Sequence, residues 1–155
     1  MARNKSSNRL DRSPIHLLHR AGQCAEGIFE AETTESLTPR QLAVLVTVAE
    51  NEGLSQTGIV DRTGIDRSTL ADIVRRLQRR GLLQRRRTKE DARAYAVKLT
   101  DEGRRMLREV EPLGRRVDQR ILDALPSRER DRFIDALVSI VDTLQRLSSP
   151  STQQS

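Results

Sequence analysis

The chain has 155 residues, 28 basic against 22 acidic, for a formal charge of +6, with one cysteine and three aromatic residues, Phe29, Phe133 and Tyr95. That length admits one lobe or two small ones. The lone Cys24 excludes an internal disulfide framework, and so few large residues leave a single chain short of core, with burial between subunits as the remedy. No stretch has the apolar length of a secretory signal or a membrane span, so the expectation is a cytoplasmic protein without a membrane partner.

Residues 1–12 are polar and basic and are expected to be a disordered arm. Ser13-Pro14 then opens a helix to about Glu32, with Ser13 as cap and Leu17, Leu18, Ala21, Ala25, Ile28 and Phe29 as its apolar positions. After a loop at 33–37, Thr38-Pro39 starts a second helix by the same signal, with a core stripe of Leu42, Leu45, Val46 and Ala49 and an end near Asn51-Glu52-Gly53. Ser55 caps a short helix whose core side is Ile59 and Val60, and Thr63-Gly64 turns the chain. Asp66 caps the next helix, 66–80, where Leu70, Ile73, Val74 and Leu77 recur at i, i+3, i+4 and i+7. Gly81 suits its left-handed C-terminal cap. The face opposite that stripe is Ser68, Asp72, Arg75 and Arg79, flanked by Thr69, Ala71 and Arg76.

Two extended runs follow, 82–87 and 95–99; in the second, Tyr95, Val97 and Leu99 alternate with Ala96 and Lys98, and 89–93 is the tip between the runs. Thr100 caps a long helix with a seam of Met106, Val110, Leu113, Val117 and Ile121. Pro112 inside it predicts a kink, and Leu125-Pro126-Ser127 its end. The last helix, 128–147, carries Phe133, Ile134, Leu137, Val138, Val141 and Leu144 on one side, and 148–155 is a polar tail.

This order of elements is mainly α with a small β-hairpin wing: a winged helix-turn-helix lobe at 37–100, and helices at 13–36 and 101–147 left over to form a dimerisation lobe. The charge agrees. Residues 75–93 hold nine basic and two acidic side chains, net +7, so the remaining 136 residues are net −1. Basicity confined to the reading helix and wing is what phosphate binding needs; the plain alternative is a solvated basic face. The expected partner is double-stranded DNA with a pseudo-palindromic operator, read by a homodimer.

Other chemistry is sparse. His16 and His19, three apart on one helix without a further His/Cys cluster, make a poor zinc site, and no metal is expected. No nucleophile with its base, paired carboxylates or glycine-rich phosphate loop is present, so neither an enzyme nor a cofactor is expected. A free cysteine in an apolar helix is ordinarily a small packed hydrophobe. The alternative is a thiol-based redox-sensing repressor acting through Cys24. His16, His19 and Arg20 among Leu17, Leu18 and Ala21 are a mixture suited to a small aromatic or amphipathic anionic effector.

The stretches LTPRQLAVLVTVAE, SQTGIVDRTGIDRSTLADIVRRLQRRGLLQRR and DARAYAVKLTDEG resemble the MarR family of winged helix-turn-helix regulators over residues 13–147. The resemblance implies a triangular homodimer that represses nearby genes and is released by a small ligand or by thiol oxidation. It implies that Arg93 enters the minor groove, that Asp91 orients it, and that Ser68 and Thr69 lie where base or phosphate contacts are made. Asp72 departs from the family pattern; it can accept from cytosine N4 or pair along the helix with Arg75 or Arg76. The full DNA-facing set is Ser55, Gln56, Thr57, Arg67, Ser68, Thr69, Asp72, Arg75, Arg76, Arg86, Arg87, Lys89, Asp91 and Arg93.

Overall fold

A computed structural model describes residues 8–35, 37–88 and 95–149. After a 3₁₀ turn at Arg9–Arg12, the chain forms α1 (Pro14–Glu32), α2 (Pro39–Glu50), α3 (Gln56–Thr63), α4 (Arg67–Arg79), β1 (Leu83–Arg87), β2 (Tyr95–Leu99), α5 (Asp101–Asp123) and α6 (Ser127–Ser148). The mainly helical fold with one hairpin is the expected one. The 3₁₀ turn falls within the stretch expected to be a disordered arm; the Asn8 side chain accepts from the Leu10 N–H and starts it. The rest of that arm, the wing tip and the tail beyond 149 lie outside the described residues.

Local chemistry sets the helix ends. Thr38 and Gln41 form a reciprocal capping box at α2, at 3.2 and 3.1 Å. Ser55, Asp66 and Thr100 each accept a backbone N–H three residues on, starting α3, α4 and α5. Ser13 occupies the cap position of α1 but its side chain makes no capping bond, so Pro14 alone marks that start. α4 ends in a Schellman turn: Leu82 N–H reaches back to the Leu77 carbonyl and Gly81 N–H to the Gln78 carbonyl, both at 2.9 Å, with Gly81 at φ +73. Pro112 does not divide α5, which is helical on both sides of it. The residue is exposed, so water can serve the Arg108 carbonyl that its missing N–H leaves free.

The hairpin pairs Leu83 with Leu99 through Arg87 with Tyr95. Val97 N–H also donates to the Leu54 carbonyl at 2.9 Å, pinning β2 to the segment before α3. The core lies under this hairpin, with Leu45, Ile59, Leu70, Val74, Leu77, Leu82 and Val97 almost wholly buried. α2 crosses the middle of it, touching α3, α4, α5 and β2. A one-sided stripe was the wrong model for a helix covered on several sides: Val44 and Val48 are buried, Leu42 and Val46 half-buried, and Ala49 exposed.

The terminal helices behave differently. Among the described residues α1 buries only Phe29, and α6 buries none. Leu17, Leu18, Ile134, Val138 and Leu144 all stand in solvent within one chain, Val138 at 53% and Leu144 at 55% exposure.

α5 meets the winged lobe at one tight point. Thr100 donates its hydroxyl to the Gly81 carbonyl and its N–H to that of Leu82. A Cβ at Gly103 would overlap the Leu82 carbonyl oxygen. Gly103→Ala gains roughly 1 kcal/mol of helix propensity. The displaced contact is backbone and cannot rotate away, so overpacking of about 1–3 kcal/mol outweighs that gain. We expect a lower urea midpoint in chemical denaturation; an unchanged or raised one would refute the close approach.

Candidate nucleic-acid interface and junction cleft

α4 lies with Leu70, Ile73, Val74 and Leu77 against the core, which turns Ser68, Arg75 and Arg79 to solvent and leaves Thr69 and Asp72 half-buried. The start of α3 is brought beside the start of α4: Arg67 donates from Nη1 to Thr57 Oγ1 at 3.2 Å. Ser55 and Thr57 are exposed there and Gln56 is half-buried. One exposed helical face and the ends of two helices therefore share a side, the arrangement a major groove accepts.

The hydroxyls on this face are already partly committed. Ser68 Oγ donates to Asp66 Oδ1 at 2.9 Å, and Thr69 N–H donates to the same oxygen at 2.9 Å. The bonds from Thr69, with help from Ser68, hold the Asp66 carboxyl down from 3.8 to about 2. With its proton given to Asp66, the Ser68 oxygen can only accept, which suits a base amino group and not a phosphate oxygen. Asp72 pairs with Arg76 at 2.8 Å along the helix, both side chains about half exposed. Of the two arginines the sequence offered it, Arg76 is the partner.

On the wing, register puts Arg86 with Gln84 and Lys98 on one face and Arg87 with Tyr95 on the other. The Arg87 guanidinium stands 5.8 Å from the Tyr95 ring centre. Tyr95 shares a side of β2 with the buried Val97 and Leu99 yet is 42% exposed, at the end of the hairpin furthest from the core; Ala96 on the opposite side is buried. Lys89, Asp91 and Arg93 lie outside the described residues.

A cleft of about 540 Å³ opens where α1, α2, α3 and α5 meet. Phe29, Leu42, Val46, Val117 and Ile121 give it apolar walls, and Arg62 and Asp118 stand on it. Among the described residues neither Arg62 nor Asp118 has an ion-pair partner. No local pattern marks Arg62, in the last turn of α3, because the partners that form the cleft with it come from other elements. His16 is half-buried while His19 and Arg20 are exposed, further up α1 than the cleft, and none of the three lines it. Cys24 was expected to be packed and is exposed on α1.

Fold and face define a DNA-binding protein of winged helix-turn-helix type. The family model described as the MarR family matches residues 35–94. The transcriptional regulator HosA of Escherichia coli O157:H7 is 31% identical over 107 residues, covering 69% of this chain and 79% of that protein. The PcaV transcriptional regulator of Streptomyces coelicolor, solved with its natural ligand, superposes with a TM-score of 0.82 at 35% identity, covering 92% of this chain and 98% of that one. BpsR of Bordetella bronchiseptica, whose DNA binding is regulated by 6-hydroxynicotinic acid, gives 0.79 at 29% identity, covering 87% and 98%. The chain belongs to the MarR family of transcriptional regulators.

Two measurements probe this face. Because the folded pKa of Asp66 is depressed, its contribution is complete above 3.8 and is lost as pH falls toward 2. The melting-temperature gap between the chain and Asp66→Ala should therefore narrow between those values, and a gap that stays constant contradicts the cap. Asp72→Ala frees Arg76, so binding to arbitrary duplex should tighten and its salt dependence steepen by about 0.9 per added phosphate contact. If instead only selected high-affinity sequences lose affinity, Asp72 reads a base.

Proposed function

We propose that this regulator is a homodimeric repressor that releases its operator when a small aromatic or amphipathic anion fills the junction cleft. The observation that carries the proposal is the cleft itself, an apolar slot between α1, α2, α3 and α5 that presents a cation, Arg62, and a carboxylate, Asp118, neither ion-paired among the described residues. An aromatic acid with a donor on its far side answers both groups: carboxylate to Arg62, hydroxyl or N–H to Asp118. The effector of BpsR, 6-hydroxynicotinic acid, has this chemistry. His16, His19 and Arg20, higher on α1, are proposed to supply polar groups at the open end.

Dimerisation rests on the bare apolar faces of α1 and α6, which one chain does not cover. Two reading helices must lie about 34–36 Å apart to enter successive major grooves, so the operator is a pseudo-palindrome. A ligand wedged between α2 and α5 changes that spacing and favours release insofar as it binds the unspaced form better. The DNA contacts are those of α3, α4 and the wing named above, with Lys89, Asp91 and Arg93 at the tip. The alternative of a redox-sensing repressor has the exposure of Cys24 in its favour.

The test uses a labelled duplex selected from random sequence, with release followed by anisotropy. Hydroxylated aromatic acids should release it, and Arg62→Gln should raise the required concentration about tenfold, the loss of one charge-assisted bond. Release unchanged by Arg62→Gln and by combined replacement of His16, His19 and Arg20 removes the site. If no aromatic acid alters either affinity or melting temperature, the effector reading fails, and release by mild peroxide that Cys24→Ser abolishes would put the thiol in its place. Val138→Asp should lower dimer content and DNA affinity together in sedimentation and binding assays; a monomer with full affinity rejects the dimer.

A further inference from the structure

A second cleft, of about 290 Å³, lies on the other side of α2, where its last turn meets the end of β2 and the second turn of α5. Its lining from α2 (Val48 and Ala49, with Glu52 just past the helix end) differs from the α2 residues of the junction cleft and shares none of them, so the two are separate. The floor is apolar: Val48, Leu99 and Leu107 belong to the core and present an edge here. Lys98, Arg104 and Arg108 stand around it. Arg104 is engaged, with Asp101 at 3.3 Å and Glu52 at 3.9 Å. Among the described residues, the Lys98 and Arg108 side chains have neither an ion pair nor a hydrogen bond. Lys98 is half-buried, so its methylene stem lies along the apolar floor while the ammonium stays at the rim, open to an incoming anion. An adjoining recess of about 490 Å³ shares Lys98 and Arg104 and extends along the hairpin to Arg86.

A solvated basic patch has cations without a floor; an apolar gap has a floor without uncommitted cations. This cleft has both. We propose that it is a second ligand site, specific for a small organic anion with an apolar body. The body packs on Val48, Leu99 and Leu107, and the carboxylate is shared by Lys98 and Arg108. Inorganic phosphate would satisfy the cations but leave the floor wet, so the apolar body is part of the recognition. Lys98 belongs to the wing and Arg108 to the long helix, so the bound anion ties one to the other. It also places negative charge on the hairpin face that carries Arg86, and thereby weakens the attraction of that face for phosphate. The site is independent of the effector proposed for the junction cleft.

The experiment is a titration of the isotope-labelled full chain with 4-fluorobenzoate, read by amide shifts. We expect saturable shifts at Ala49, Lys98, Leu99 and Leu107. In Lys98→Gln/Arg108→Gln their midpoint should move up by about tenfold or more, while any shifts at Val46 and Ile121 keep theirs. Arg62→Gln should do the reverse. A matching thermal melt verifies the fold of both variants. The proposal is overturned if the shifts around Leu99 keep their midpoint in the double variant. It is also overturned if inorganic phosphate reproduces them at the same midpoint, which would make this a plain anion patch.

Discussion

Everything that has to move as a unit in this protein meets at Leu82. The reading helix ends on the Leu82 N–H through the Schellman turn, β1 begins one residue later, and α5 is laid against the Gly81 and Leu82 carbonyls by Thr100 and Gly103. Packed backbone of this kind has few alternative arrangements, so a tilt of α5 is passed to the reading helix and the wing together rather than absorbed in a hinge. A further tie to the reading helix comes from the α1–α2 connection. There Arg80 donates from Nη2 to the Glu35 carbonyl at 2.8 Å, across an exposed gap.

Electrostatics follows the same division. The strongly basic stretch runs from the end of α4 through the wing, while the other helices carry nearly balanced charge. Balance along α5 is local: Arg104, Arg105 and Arg115 each answer a carboxylate three or four residues away. Such exposed pairs contribute little stability. Their effect is to keep the rest of the surface from competing for a polyanion, so attraction is focused on one face.

How much of this was legible in the sequence depended on how local its cause was. The caps at Thr38, Ser55, Asp66 and Thr100, the turn at Gly81 and the stripe of α4 are set by residues within a turn of one another, and each is where the pattern placed it. The MarR-type motifs added the architecture that joins them. What periodicity could not reveal was burial decided by several partners at once. Val44 and Val48 of α2 lie outside the expected stripe because four elements surround that helix. Leu17 and Leu144 lie inside theirs yet stay exposed within one chain. Arg62 belongs to a cleft assembled from α1, α2 and α3 with the distant α5, and no spacing rule encodes that. Ser68 was legible as a position on the exposed face of α4, but its commitment to Asp66, and with it the loss of its donor, was not.

The Tyr95 ring beneath Arg87 has an optical consequence. It is the chain's single tyrosine, and there is no tryptophan. Under excitation that phenylalanine does not absorb, intrinsic emission therefore comes from one ring, at the end of the hairpin furthest from the core and 42% exposed. A guanidinium that leaves that ring for a phosphate changes the polarity and quenching around it, so the unmodified protein carries its own reporter of wing engagement. The terminal helices, the junction cleft and the core, whose aromatics are Phe29 and Phe133, are silent under that excitation.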